Sequence, residues 1–287
     1  FGDHITDSSL DLFSFVNASK FANTLVDDGA GGQEARFSCN VNIQSPKEAF
    51  ELINDLAGVM RCMPIWSAGT ITITQDKPTD PSYLFNLSNV TEEGFNYSGS
   101  SLKTRHSVIS VSYFNMDSQE VDFEVVEDAT AISKIGTVVK QVKAFACTSR
   151  GQARRLGKAI LFAEQNESEV VAFNTSIDSG VVVRPGAIIE IQDPVRAGIR
   201  RGGRLSAVTS TTVVTVDDTS ATDLAVDASG NPVGDATLAV ILPDGSFESK
   251  AISSVSGGTI TVSSAFSQTP NVNANFLISN VTTQSQL

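Results

Sequence analysis

Two histidines, His4 and His106, and three cysteines, Cys39, Cys62 and Cys147, are the side chains in this sequence best suited to nucleophilic, acid–base or metal chemistry. Their spacing does not favour it. Neither histidine has a His, Cys or carboxylate at ligand spacing, so a Ser-His-Asp triad or a zinc site would have to recruit distant partners. Both read as surface or hydrogen-bonded histidines. The thiols form no C-x-x-C pair and are odd in number, so they read as small buried hydrophobes in a reducing compartment. Glu92-Glu93, Asp117 with Glu120, and Glu164 with Glu167 and Glu169 are carboxylate pairs of the kind a glycosidase uses, and solvated faces explain them equally well. With Trp66 and three tyrosines, the chain has little of the aromatic platform that sugar binding needs. Asp217-Asp218 with Asp223 lacks the Asp-x-Asp-x-Asp-Gly spacing of a calcium loop and reads as a turn. Gly29-Ala30-Gly31-Gly32 has no strand before it and no Gly-Lys-Ser/Thr after it, so it is a flexible turn rather than a phosphate loop. Seven N-x-S/T sequons begin at Asn17, Asn86, Asn89, Asn96, Asn166, Asn174 and Asn280; a chain rich in these residues produces them by chance. No catalytic, cofactor-binding or metal-ligating residue is expected.

The elements that would position any chemistry are mostly strands. The 287 residues are 41% hydrophobic and only 18% charged, with a net charge of −12. Ser, Thr, Val and Gly dominate, a mix that belongs to β-rich folds. The acidity argues against a protein that wraps nucleic acid, since phosphate affinity comes from clustered Lys and Arg. No apolar run approaches the ~18 residues that cross a bilayer. Both ends read as cuts, so an excerpt of a longer, soluble protein is expected.

Along the chain, Leu10, Phe13, Val16, Phe21 and Leu25 predict a helix capped by Asp7 or Ser8 and stopped at Gly29. Residues 34–43 predict a strand. Ser45-Pro46-Lys47-Glu48 reads as a capping box opening a second helix with Phe50, Ile53, Leu56 and Ala57 on its apolar stripe. A hairpin follows, 63–66 with 70–75, then turn-rich text from 76 to 101. Strands at 106–114 and 120–126 precede a third helix that Ser149 caps with Gln152 three residues on. That helix carries Arg150, Arg154, Arg155 and Lys158 on one face, either solvated or set against an acidic neighbour. Strands at 170–177, 188–191 and 204–208 follow. Arg184, Arg196, Arg200, Arg201 and Arg204 concentrate positive charge there. Residues 205–287 hold seven acids and one base and read as short strands and turns throughout. The expected fold is therefore α+β, predominantly β: several small β-rich modules, barrel- or sandwich-like, braced by about three helices, plus a small all-β inserted module. The expected segments are 1–143, 144–205 and 206–287, the last truncated on its C-terminal side.

The order of motifs then matters. Ser149-Arg150-Gly151-Gln152-Ala153-Arg154-Arg155-Leu156-Gly157-Lys158, then Glu169 to Phe173, Val183-Arg184-Pro185-Gly186-Ala187 through Asp193-Pro194, and Gly202-Gly203-Arg204-Leu205 resemble the tail tip proteins of long-tailed phages, the host specificity protein J family of lambda-type siphophages. The likeness covers nearly the whole chain and is strongest from 145 to 205. One departure is Ala187, where the family commonly has Asp after Pro-Gly, which removes a turn carboxylate. The resemblance implies a structural, non-enzymatic hub protein of the virion, assembled in the host cytoplasm as a homotrimer beside the distal tail protein and the tape-measure protein. It implies closure of the tail tube until DNA ejection, with the host outer-membrane receptor reached through regions beyond this sequence. It implies no cofactor, no sequence-specific nucleic acid contact and no membrane span. The alternative is a carbohydrate- or receptor-binding adhesion module resting on residues 206–287; a hydrolase using Glu164 and Glu167 is a third reading.

Overall fold

The computed structural model describes residues 7–44, 47–67, 69–99, 101, 105–198, 200–222, 227 and 234–279. The chain is α+β with β predominating, and it divides into two compact units, each assembled from separate stretches: residues 1–77 with 97–170, and 78–96 with 171–287.

In the first unit, α1 (Leu12–Ala22) leads into the short hairpin β1 (Leu25–Asp27) and β2 (Gln33–Ala35), which flanks the Gly-rich turn. Asp11, not Asp7 or Ser8, caps α1, and the helix ends at Asn23 rather than Gly29 because Thr24 and the β-prone Leu25-Val26 enter the ladder. Beyond β2 no strand continues through 37–44. The second helix, α2 (Ala49–Val59), begins at Ala49 with Glu48 as an N-cap that makes no side-chain bond; Ser45 and Pro46 lie outside the described residues. The expected hairpin forms as β3 (Cys62–Ser67) and β4 (Thr70–Gln75), antiparallel from Cys62 opposite Gln75 to Ser67 opposite Thr70. Both helices bury small residues rather than their large apolar stripe: Ala18 and Ala57 meet Cys62 beside Ile73, while Phe13 and Phe50 stay 76% and 70% exposed.

The strand β5 (Tyr83–Asn86) belongs to the second unit, and β6 (Asn96–Gly99) lies where the chain returns to the first. There β7 (Val108–Asn115) is the centre of a three-stranded sheet, antiparallel to β8 (Glu120–Glu127) and parallel to β9 (Val139–Lys143). A parallel neighbour needs a crossover, and α3 (Ala129–Ile135) supplies it. The sequence periodicity predicts no helix there, although Asp128 caps it through the Thr130 and Ala131 amides and Gly136 stops it at φ 78°. The third expected helix is α4 (Arg150–Asn166), which lies across β7 and β8 over Ile109, Val111, Tyr113 and Val126.

The chain crosses into the second unit within β10 (Glu169–Ala172), and that unit then holds α5 (Ile177–Val182), β11 (Ile189–Gln192) and α6 (Pro194–Ala197). Among the described residues six α-helical segments therefore replace the three expected, the additions being short. A closed barrel follows in the order β12 (Gly202–Val208), β13 (Val213–Val216), β16 (Thr259–Val262), β15 (Phe247–Ser256), β14 (Thr237–Ile241) and β17 (Asn275–Ser279). Its alternating residues Leu205, Val214, Leu238, Val240, Ile260, Phe276 and Ile278 are nearly or wholly buried in one core. Closure needs Gly202: a Cβ there would sit 2.8 Å from the Phe276 carbonyl oxygen of the strand it pairs with.

The stretch read as turn-rich contains β5, buried at all four positions. It pairs in parallel with β11, with Tyr83 opposite Ile189 and Asn86 opposite Gln192. Leu84 joins Ala239 and Leu277 on the outside of the barrel, while Tyr83 and Phe85 start an aromatic stack that continues through Phe173 to Phe95. A strand buried on both faces shows no alternation, and four residues between turns leave no periodicity to read.

Candidate functional site

Of the stretches that carry the resemblance, Ser149 to Lys158 forms the cap and first turns of α4 in the first unit, while 183–194 and 202–205 belong to the second. Ser149 caps the helix, its Oγ accepting the Gln152 amide at 3.1 Å. The Gln152 side chain does not return to the cap as a capping box would have it. Its Oε1 accepts from the Ser38 amide at 2.9 Å and hydroxyl at 3.0 Å, and its Nε2 donates to the Ser38 carbonyl at 3.1 Å. A buried glutamine is thereby satisfied at both ends. Gly151 lies against the neck of the Gly-rich turn, where a Cβ would stand 2.6 Å from the Asp28 carbonyl oxygen. Ala153 is fully buried.

The basic face of α4 has its acidic neighbour inside the same unit. Arg150 Nε donates to Glu124 Oε2 at 2.7 Å and Arg154 Nε lies 4.0 Å from the other oxygen of that carboxylate. Arg155 spans three partners: Glu34 Oε1 at 2.7 Å, the Asp27 carbonyl at 3.3 Å and the Arg36 carbonyl at 2.9 Å. Asp28 holds the turn itself, accepting from the Ala30 and Gly32 amides at 2.7 and 3.0 Å, and those two bonds hold its carboxyl below the usual range. The charges and caps of this constellation lock α4 onto β2, β8 and the Gly-rich turn.

The other expected features distribute as follows. His106 finds a carboxylate 58 residues away: Glu164 Oε2 accepts from its main-chain amide and meets its Nδ1, both at 2.9 Å, and Glu164 Oε1 accepts from Lys140 at 2.8 Å. His4 lies outside the described residues. Burial pushes the Cys62 thiol up to about 11, and Cys147 is raised by burial as well, as inert core thiols should be; Cys39 is exposed. Glu164 is thus held in an ion cluster rather than paired with Glu167, which caps the end of α4. In the second unit Asp217 and Asp218, read as a turn rather than a calcium loop, pair with Arg200 at 2.6 and 3.3 Å. Asp223 and the turn at 228–232 lie outside the described residues. Arg204 Nη2 donates to the Ser88 carbonyl at 2.6 Å, so two of the five clustered arginines are visibly engaged within their own unit. The turn at Pro185-Gly186 closes through the Ala187 amide on the Arg184 carbonyl at 3.0 Å with Gly186 at φ 79°, so the aspartate absent at 187 is not needed for it. Among the described residues no group of His, Cys, Asp and Glu could hold a metal, and no helix is long and apolar enough to cross a membrane.

Comparison with known proteins points to phage tails. The chain is 33% identical over 185 residues to the tip attachment protein J of Escherichia phage SECphi27, a stretch covering 64% of this chain and 15% of that protein. It is 29% identical over 279 residues to the tip attachment protein J of Escherichia phage SECphi4, covering 94% of this chain and 23% of that one. The chain thus spans less than a quarter of the length of either relative. Two solved structures overlap it partly: the tail protein from Neisseria meningitidis MC58, with TM-score 0.43, 16% identity and coverage of 58% and 51%, and the 43 kDa tail protein of prophage MuSo2 from Shewanella oneidensis, with TM-score 0.38, 18% identity and coverage of 54% and 48%. Residues 48–208, which include α4 and Glu124 but not the partners between Asp27 and Ser38, match the family of putative phage tail proteins, and the chain belongs to that family as a component of a phage tail.

Proposed function

We propose that the chain is a structural, non-catalytic part of the central hub at the tip of a phage or prophage tail. In this reading it stands as a homotrimer about the tail axis, adjoins the distal tail protein and the tape-measure protein, closes the tube before infection and opens for DNA ejection. It is assembled in the host cytoplasm, and receptor contact belongs to other parts of the tip. The observation that carries the reading is the fate of the reactive side chains. Ser149, Arg150, Gln152, His106 and Glu164 all find hydrogen-bond or ion-pair partners within the first unit, and Arg155 binds Glu34 and two backbone carbonyls, which is the economy of a load-transmitting part rather than of an active site.

Gold-labelled antibody raised against the full chain should decorate the distal end of intact tails, and light scattering on the chain should report a trimer. Label along the tube or on the capsid, or a clean monomer at high concentration together with unlabelled tips, would overturn the hub assignment.

A further inference from the structure

In the first unit a cavity of about 360 Å³ opens between α2, the end of β9 with the turn after it, and α4. That volume lies within the range of about 300–1,000 Å³ typical of ligand clefts. Val142, Phe145 and Leu156 give it an apolar floor, and four cations, Arg36, Arg61, Lys143 and Arg155, stand around it against the single carboxylate of Asp55. Three of these charges are answered: Arg61 by Asp76, Arg155 by Glu34 and Asp55 by Lys47. Two are not. Arg36 stacks 4.5 Å over the Phe21 ring and donates Nε to Thr24 Oγ1, without a carboxylate among the described residues. Lys143 has no ion-pair partner among them. In addition the Nε of Arg155 is buried and makes no hydrogen bond. A chain of net charge −12 therefore carries one apolar hollow whose uncompensated charge is positive.

We propose that this hollow receives a short extended peptide segment of another tail protein, with an apolar side chain on the Val142–Phe145–Leu156 floor and a carboxylate answered by Lys143 and Arg36. An apolar segment without the carboxylate would desolvate both cations uncompensated, which costs more than the floor returns. A nucleic-acid backbone fits poorly, because its affinity grows with the number of phosphates neutralised and only two free cations are present. That the peptide comes from a tail protein rests on the assignment to a phage tail; the peptide chemistry itself does not, and its test is separate from the labelling of tails.

The test is selection of a randomised heptapeptide library on the immobilised full chain, followed by fluorescence anisotropy with the enriched peptides. Enriched sequences should combine Asp or Glu with large apolar residues, and replacing their acids by the amides should weaken binding about tenfold or more. Lys143→Glu should weaken it by a similar factor. Gly58 lies on α2 at the cavity, and a Cβ there meets nothing within 4 Å. Gly58→Leu should therefore fill the mouth and block the peptides while the melting temperature stays level or rises. No enrichment, enrichment of acid-free peptides, binding that survives Gly58→Leu in a folded chain, or displacement of the peptides by oligothymidylate would each overturn the proposal.

Discussion

At the scale of single residues, two glycines on helices predict opposite outcomes for the same substitution. At Gly151 the helix touches backbone, the Asp28 carbonyl oxygen lying 2.6 Å from any added Cβ. Backbone cannot swing aside as a side chain tip can, so Gly151→Ala must push α4 off the Gly-rich turn, at about 1–3 kcal/mol for an overpacked contact. The helix-propensity gain of at most about 1 kcal/mol does not offset it, particularly in the first turn. At Gly58 no atom lies within 4 Å of the added methyl, so Gly58→Ala should gain a part of that same ~1 kcal/mol. Urea unfolding of both variants is the check: a Gly151→Ala midpoint at or above that of the parent chain would remove close packing as the reason for glycine in the motif.

At the scale of elements, α4 is held at its far end by the Glu164 cluster, and that clamp has a pH dependence. Burial raises the Glu164 carboxyl, but the bonds from Lys140 and from the His106 amide and ring outweigh it and hold the group below its ordinary value of 4.5. A carboxyl depressed on folding contributes stability that is complete above 4.5 and is lost as pH falls through its folded value. Glu164→Gln should therefore be less stable than the parent at neutral pH, and the gap should close as a series of melts is taken below about pH 4.5; a gap constant with pH would show the carboxylate charge to be irrelevant. The same element shows what a sequence can disclose. Ser149 and the spacing of Ala153, Leu156 and Ile160 predict α4 closely, and alternating Thr and Ile predict the β4 side of the hairpin, since caps and periodicity act over a few residues. The Glu34–Arg155, Ser38–Gln152 and His106–Glu164 pairs join residues 58 to 121 apart, and no local pattern encodes such partners. The small residues Ala18 and Ala57, not Phe13 and Phe50, face the core for a related reason: two helices over a two-stranded hairpin must approach closely, and the apolar stripe that periodicity picks out is left on the outside. The β5 strand escaped because burial on both faces erases alternation.

At the scale of the whole molecule, acids outnumber bases by twelve, and residues 205–287 contribute seven acids and one base. Set against them, the arginine-rich stretch before residue 205 looks in sequence like a place for phosphate. In the second unit two of its five arginines have visible partners: Asp217 and Asp218 take Arg200, and the Ser88 carbonyl takes Arg204. The field outside the unit is then set by the remaining carboxylates, which repel a polyanion over the ~10 Å Debye length of about 0.1 M salt. On the proposed hub reading DNA passes this chain without being retained, so the chain should leave double-stranded DNA unshifted in a gel even at about 50 mM salt, where nonspecific contacts are strongest. Asp217→Asn with Asp218→Asn removes two negative charges and releases the Arg200 guanidinium beside Arg201 and Arg204. Weak retention should then appear and fade steeply as salt is raised, because it would come from counterion release. Retention by the unaltered chain at low salt would mean that its arginines face outward to phosphate, and the acidic carboxylates would then have to be assigned to protein contacts rather than to the passage.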